Sequence, residues 1–287
     1  MKTRETIIEI IRDRKTQIPT LPVVVSNILQ VAGDDRSSAG DLASLVEQDQ
    51  AIANKILRLA NSAYYGLMRE VETISRAITI IGFNEVVGLT IGMGVFSSLG
   101  KKMEANGIDI RGLWLHSIAC GSACRAIGVR TGCKDPARLF LNGLLHDTGK
   151  VLLAAYLPKE YNEVIGMAAA RKESLHLVEK ERLGLDHAAV SGILMDRWRF
   201  PSSLVIPCRH HHSESDCPPA FLKDAAVVAA ADFVCHKSAL GRSGNPKPLR
   251  PSRGMSRLGL TPNDLDPFVL ELRKNRERME AFLEVAA

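Results

Sequence analysis

Apolar residues return every three or four positions along almost the whole chain, and no stretch of strict alternation interrupts them. The first periodic stretch, about Arg4 to Arg14, carries Ile7, Ile8, Ile10 and Ile11 and stops before "TQIPTLP". "PVVVSNILQVAGD" follows, with Pro22 suited to a first helical position and Gly33 past the end. Next come "SSAGDLASLVEQD" and "QAIANKILRLANSAYYG"; in the latter Ile52, Ile56, Leu59 and Ala60 share one stripe. "ETISRAITIIG" and "FNEVVGLTIGMGVFSSLG" complete a run of short helices ending near Gly100. Gly88, Gly92 and Gly94 lower helix propensity there, which predicts close approach of a neighbouring helix as the compensation.

A polar break at "KKMEANGIDI" predicts a boundary near residue 105. It divides the chain into an amino-terminal helical half, 1–105, and a second half, 106–287. Longer elements fill the second half: "RGLWLHSIACGSACRAIGVR", "PARLFLNGLLHDTGKVLLAAYL", "KEYNEVIGMAAARKESLHLVEKERLG" and "DHAAVSGILMDRWR". After "FPSSLVIPCRHHHS" and "PAFLKDAAVVAAADFVCHKSA" come a basic loop at about 237–257 and a carboxy-terminal helix. That helix opens at "TPND", where Thr261 caps, Pro262 takes the first turn and Asp264 sits three beyond the cap. Its body must absorb Pro267 or begin after it. The prediction is an all-α fold, a multi-helix domain preceded by a smaller helical subdomain, without internal repeats.

Composition agrees. The 287 residues are 46% hydrophobic and 24% charged, ordinary for a globular protein, and only 5% aromatic. No apolar run reaches bilayer length, and "MKTRETIIEIIRDRKTQIPTLP" lacks a signal-peptide core, so a cytoplasmic protein with no membrane partner is expected. Part of the net charge of +5 sits in "HKSALGRSGNPKPLRPSRGMSR", which reads as a solvated loop. No aromatic stacking residues accompany those charges, which argues against nucleic acid. The six cysteines form no CxxC pair, and Cys120 and Cys124, one helical turn apart among small residues, read as buried thiols.

Candidate chemistry lies where imidazoles and carboxylates interrupt apolar stripes. His116 shares a stripe with Cys120, Ala123 and Ile127, so it faces inward. His146 and Asp147 fall about 100° apart on the helix the pattern predicts, close enough to converge on one ion. His187 opens an amphipathic helix, His211 and His212 end a helix-like segment, and Asp232 lies inside "VVAAADFV". A buried charge without a partner costs several kcal/mol, so Asp147 and Asp232 need cations or donors. Imidazole with carboxylate suits Fe, Mn or Zn better than Ca or Mg. Each residue alone also has a plainer explanation. His116 would serve as a hydrogen-bonded core histidine, and Asp232 as a cap or an arginine partner. The run His210–His212 would serve as a surface cluster, and Lys150 as a solvated helix-end lysine. His176 and His236 lack a supporting pattern and read as ordinary.

The order His116, His146–Asp147, His187, His211–His212, Asp232 resembles the HD superfamily of metal-dependent phosphohydrolases. Within it the chain resembles the HDOD family, the HD-related output domain of bacterial signalling. "IPTLPVVVSNILQVAGD", "DLASLVEQDQAIANKILRLANSAYYG" and "TISRAITIIGFNEVVGLTI" are similar to that family's amino-terminal half. "LWLHSIACGSACRAI", "FLNGLLHDTGKVLL" and "LDHAAVSGILMDRW" are similar to its HD-like half. The resemblance runs from about Ile18 to His236 and implies an all-α module that regulates cellular responses, with input through a separate signalling protein or directly at the metal site. Many HDOD proteins have lost HD ligands, whereas here every ligand position of a two-metal site is occupied.

By that resemblance His116, His146, Asp147 and Asp232 would hold one divalent transition ion, iron or manganese before zinc. Asp147 would bridge to a second ion held by His187, His211 and His212. Lys150, with Asp147 the catalytic candidate, would face a substrate phosphate or a metal-bound water. Two features depart from the cyclic-di-GMP phosphodiesterases of the superfamily. "SESDCPPAFL" replaces their Gly-Tyr-Pro motif after the histidines, and Pro207 falls within the preceding helix, leaving His210–His211 or His211–His212 open as the pair. Two functions follow: a regulatory module retaining a metal centre, or an active phosphohydrolase on a nucleotide or cyclic dinucleotide.

Overall fold

The structure is a computed structural model that describes residues 4–12, 23–32, 37–62, 65–104 and 109–286. Every regular element among them is helical, as the periodicity predicts. The amino-terminal half holds α1 (Arg4–Arg12), α2 (Val23–Ala32), α3 (Ala39–Glu47), α4 (Gln50–Ala60), α5 (Ile74–Ile81) and α6 (Phe83–Glu104). Its starts are written in local chemistry: Ser38 and Asp41 form a capping box on α3, while Asp49 and Thr73 cap α4 and α5. The stripe Ile52, Ile56, Leu59 and Ala60 is buried. Helix α6 runs past Gly100 to Glu104. A Cβ at Gly88 would overlap Leu141, and one at Gly92 would overlap Trp114, so close approach does accompany those two glycines. Pro22, Gly33 and the boundary near residue 105 lie outside the described residues.

The second half holds α7 (Ile110–Arg130), α8 (Pro136–Leu145), α9 (Thr148–Tyr156), α10 (Pro158–Arg171), α11 (Leu175–Leu183) and α12 (His187–Arg197). Then come α13 (Ser202–His210), α14 (Leu222–Ser238), α15 (Ser252–Arg257), α16 (Asp266–Lys274) and α17 (Arg276–Ala286). Three segments that read as single helices are broken. "PARLFLNGLLHDTGKVLLAAYL" divides at His146–Asp147, and "KEYNEVIGMAAARKESLHLVEKERLG" divides where Lys172 turns left-handed (φ 50°). The carboxy-terminal segment becomes a short 3-10 turn, Pro262–Leu265, followed by α16 and α17. The Thr261–Asp264 capping box forms, and Pro267 is absorbed in the first turn of α16.

One continuous apolar core runs from Ile7 to Leu283 and includes residues of both halves. Helices α7 and α8 cross so closely that a Cβ at Gly143 would lie 2.6 Å from the Cys120 carbonyl oxygen. Cys120, Cys124, Cys208, Cys217 and Cys235 are buried free thiols, and Cys133 is a half-buried one. No single helix among the described residues is long and apolar enough to cross a membrane.

Candidate metal centre

The break at His146–Asp147 is what turns two neighbouring side chains toward one point. A helix end leaves carbonyl and amide groups without intrahelical partners. Here one hydroxyl serves both ends of the break: Ser191 Oγ donates to the His146 carbonyl (2.8 Å) and accepts from the Gly149 amide (2.7 Å). The α9–α12 contact is tight, since a Cβ at Gly149 would stand 2.8 Å from the Ser191 nitrogen and closer still to the His187 carbonyl. The expected 100° separation on a continuous helix is therefore corrected to two residues flanking a helix junction.

Around that junction the sequence-predicted residues converge. His116 comes from the inward stripe of α7, His187 opens α12 beneath the Asp186 cap, and Asp232 lies mid-way along α14. His211 and His212 follow α13, which carries Pro207 inside it. His211 and His212, rather than the half-buried His210, are the pair that lies beside His187. Asp147 Oδ2 lies 3.3 Å from His146 Nε2 and 3.7 Å from His116 Nε2, while its Oδ1 lies 3.3 Å from His187 Nε2. Asp232 Oδ1 is 3.1 Å from His116 Nε2 and 3.8 Å from His146 Nε2. Two donors each ~2.1 Å from a shared ion at tetrahedral angles would be separated by about 3.4 Å, so these spacings suit coordination.

Hydrogen bonding sorts the ring nitrogens. His146 Nδ1 donates to the Gly143 carbonyl (2.7 Å), and His211 Nδ1 donates to the Cys208 carbonyl (2.7 Å). A carbonyl only accepts, so Nδ1 carries the proton in both rings and Nε2 faces inward. His187 Nδ1 meets Glu179 Oε2 at 2.6 Å, and the Tyr161 hydroxyl donates to the other Glu179 oxygen at 2.8 Å. Such outer partners are what fix the orientation of metal-ligating histidines. His116 Nε2, His146 Nε2, His211 Nε2, Asp147 Oδ1 and Asp232 Oδ1 are buried without a hydrogen-bond partner. Orphaned polar atoms concentrated at one point are costly, and a bound cation is the chemistry that would satisfy them.

Lys150 is buried, not solvated, and its Nζ lies 2.7 Å from Asp147 Oδ2. Burial works to raise the Asp147 carboxyl, but His146 and Lys150 outweigh it and hold the group well below the usual range. Burial likewise opposes charge on His146, yet Asp147 and then Cys120 draw its pKa well above the ordinary value. His211 moves the other way, down to about 3, through burial and then the charges of His146 and His187. Burial is the leading cause again where His176 and His236 fall to about 4 and His212 falls well below its ordinary value. Neutral imidazoles are the form that binds metals, so burial keeps His211 and His212 in the binding form, whereas His146 would release a proton on taking up an ion.

Sequence reasoning missed four participants. His236, read as ordinary, lies 3.5 Å from Asp232 Oδ1 and joins His116 and Asp232 in one possible ligand group. His176, also read as ordinary, stacks on His212 with ring centroids 4.2 Å apart. Glu179 and Ser191 act behind the ligand-type residues. A signal for Glu179 existed: it falls on the buried face of α11 with Leu175, His176, Val178 and Leu183, where a carboxylate is out of place. His236 stands one turn beyond Asp232 on α14, which was also legible.

A helical bundle that gathers histidines and aspartates from separate helices around one buried point defines an HD-like protein. The HDOD domain profile matches residues 18–214, and the chain belongs to the HDOD family, a domain related to HD phosphohydrolases. An HDOD domain protein of unknown function from Geobacter sulfurreducens is 25% identical, with 99% of both chains covered and a TM-score of 0.77. A candidate phosphohydrolase from Shewanella amazonensis shares the fold (TM-score 0.74, 22% identity, 98% of both chains). An uncharacterised Treponema pallidum protein is 25% identical over 227 residues, 78% of this chain and 43% of that one. The chain spans less than half the length of the curated relatives it matches.

Proposed function

We propose that this chain is a regulatory module of the HDOD type that retains a two-ion HD centre and works with a separate signalling protein. The observation that carries the reading is the disposition of Asp147, whose two oxygens face different donor sets. Oδ2 looks toward His116 and His146, with Asp232 close by, and Oδ1 looks toward His187, beside His211 and His212. In this reading His116, His146, Asp147 and Asp232 hold one ion, and Asp147, His187, His211 and His212 hold the other. Iron or manganese suits this nitrogen-and-oxygen set. Glu179 orients His187, Ser191 holds the helix junction, and Lys150 balances the charge of Asp147.

A second reading, hydrolysis of a nucleotide or cyclic dinucleotide phosphoester at the same centre, is favoured by the complete donor set and by Lys150 beside it. A divalent pair, when bound, supplies Lewis-acid polarisation of a phosphoryl group. The chain's own part would be the Lys150 ammonium as a fixed positive charge near a developing negative one.

Elemental analysis of protein purified without chelators tests the centre, with transition metal expected in stoichiometric amount. Less than a tenth of an equivalent would sink both readings. A phosphoester panel with added Mn or Fe then separates them: the regulatory reading expects no turnover that Asp147→Ala abolishes. Turnover lost in that variant favours the hydrolase.

A further inference from the structure

The basic segment keeps its Lys and Arg side chains exposed, as a solvated loop does, and its backbone is at the same time seated against the centre. Helix α14 continues to Ser238, and beyond it Gly241, in a left-handed conformation (φ 70°), packs against the backbone of His116. The Arg242 amide donates to the Gly112 carbonyl (2.8 Å), and Ser243 Oγ meets His236 Nε2 at 3.0 Å. Asn245 Oδ1 accepts from the Leu175 amide at 3.1 Å. Residues 239–253 therefore form a strap tied to α7, α11 and α14.

Three cavities reach the centre, and the strap lines each of them. One of about 230 Å³ ends on Lys150 beside Arg242, and one of about 300 Å³ ends on His116 and His236. The third, about 340 Å³, has His211, His212 and Asp232 at its inner end and Arg250 and Arg253 at its outer end. Both arginines are exposed, and neither guanidinium makes a hydrogen bond or close ion pair among the described residues. Glu214 also lines this space. Burial raises its carboxyl, and the charges of Arg257 and Arg253 draw it back. The outer end is thus lined by two guanidinium groups and one carboxylate, and the inner end by imidazoles with an Asp232 oxygen left unsatisfied.

We infer that the 340 Å³ cavity binds a phosphate monoester of mononucleotide size, with Arg250 and Arg253 holding its phosphate. This rests on and deepens the regulatory reading of the proposed function, since the ligand's other end, not its phosphate, abuts the proposed ion centre. Guanidinium forks match phosphate oxygens, and the unpaired state of both arginines leaves their donors available. Size sets the class: the volume lies at the lower end of the roughly 300–1,000 Å³ range of small-molecule sites. A mononucleotide fits within it, whereas a cyclic dinucleotide, with two nucleotide units, would extend past its open mouth. The strap thereby carries a ligand preference that the HD-type residues alone do not define.

The test is calorimetric titration of the full chain with 5′-AMP, 5′-GMP, inorganic phosphate and cyclic di-GMP, both metal-loaded and chelator-treated. The nucleoside monophosphates are expected to saturate and to bind tighter than cyclic di-GMP. Arg250→Ala/Arg253→Ala should weaken them about 10–100-fold, as expected for losing charge-assisted hydrogen bonds. Its metal content should stay at the wild-type level, and Arg250→Lys/Arg253→Lys should recover part of the affinity. Unchanged affinity in the double alanine variant, no saturable binding, or a preference for cyclic di-GMP would overturn the inference. Protein that takes up no metal yet still binds 5′-AMP through the arginines would mark a failure of the ion centre alone.

Discussion

The two halves of the chain bury polar groups on different terms. Among the described residues the amino-terminal half buries one polar side chain, Thr90, and its hydroxyl bonds the Val86 carbonyl a turn away at 2.9 Å. The second half buries His116, His146, Asp147, Lys150, Glu179, His187, His211 and Asp232, several with inward-facing atoms that find no protein partner. Packing and that one hydrogen bond account for the buried side chains described in the first half. In the second half desolvation is left uncompensated by the chain itself, and that deficit is the physical mark of a site.

The sharpest way to break this contrast is a pair of substitutions, one in each half. Asp147→Ala should reduce bound metal to under a tenth of an equivalent and, by stranding Lys150, cost about 3–5 kcal/mol in the metal-free protein. Leu42→Ala, in the fully buried core of the first half, should cost about 2–5 kcal/mol in denaturant unfolding while leaving metal content unchanged. If both variants lose metal in proportion to stability, the halves are not distinct in this way.

A smaller effect is expected behind the ligand-type residues. Glu179→Gln keeps the shape but weakens the carboxylate hold on His187, and metal affinity should fall about 10–100-fold by competition with a chelating dye. Unfolding free energy should change less than in Asp147→Ala.

Acidification should act on the second half first. His176 and His236 titrate at about 4 and His211 at about 3 in the folded chain. An unfolded imidazole titrates near ~6.5. Between those limits the unfolded chain binds more protons, so metal-free stability should fall as pH drops below about 6.5. His146, raised, works in the opposite sense and is outnumbered. Thermal midpoints of chelator-treated protein at successive pH values would show the decline; a flat profile would contradict it. The smallest effect is expected at the exposed Arg171–Glu181 pair, where Arg171→Ala should leave both metal content and melting unchanged.

Helix identity and the inward faces were legible because they follow from periodicity. The stripes Ile52–Ile56–Leu59–Ala60 and His116–Cys120–Ala123–Ile127 are buried as the pattern requires. The break at His146–Asp147 was not legible, because no Pro marks it and the flanking Gly143 and Gly149 lie inside α8 and α9. Ser191, distant in sequence, stabilises it by tertiary hydrogen bonds. His176 was illegible for the same reason, since its partner His212 lies on another element. The strap's exposed basic side chains were legible from composition, but its anchors were not, because composition says nothing of where Gly241 and Ser243 pack.

The central claim is that Asp147 joins two ions. Electron paramagnetic resonance of chelator-stripped protein reloaded with two equivalents of Mn(II) tests it directly. An exchange-coupled spectrum, replaced in Asp147→Ala by weak or isolated signals, is the predicted result. Only uncoupled mononuclear manganese in the wild-type chain, or no bound manganese at all, would contradict the account.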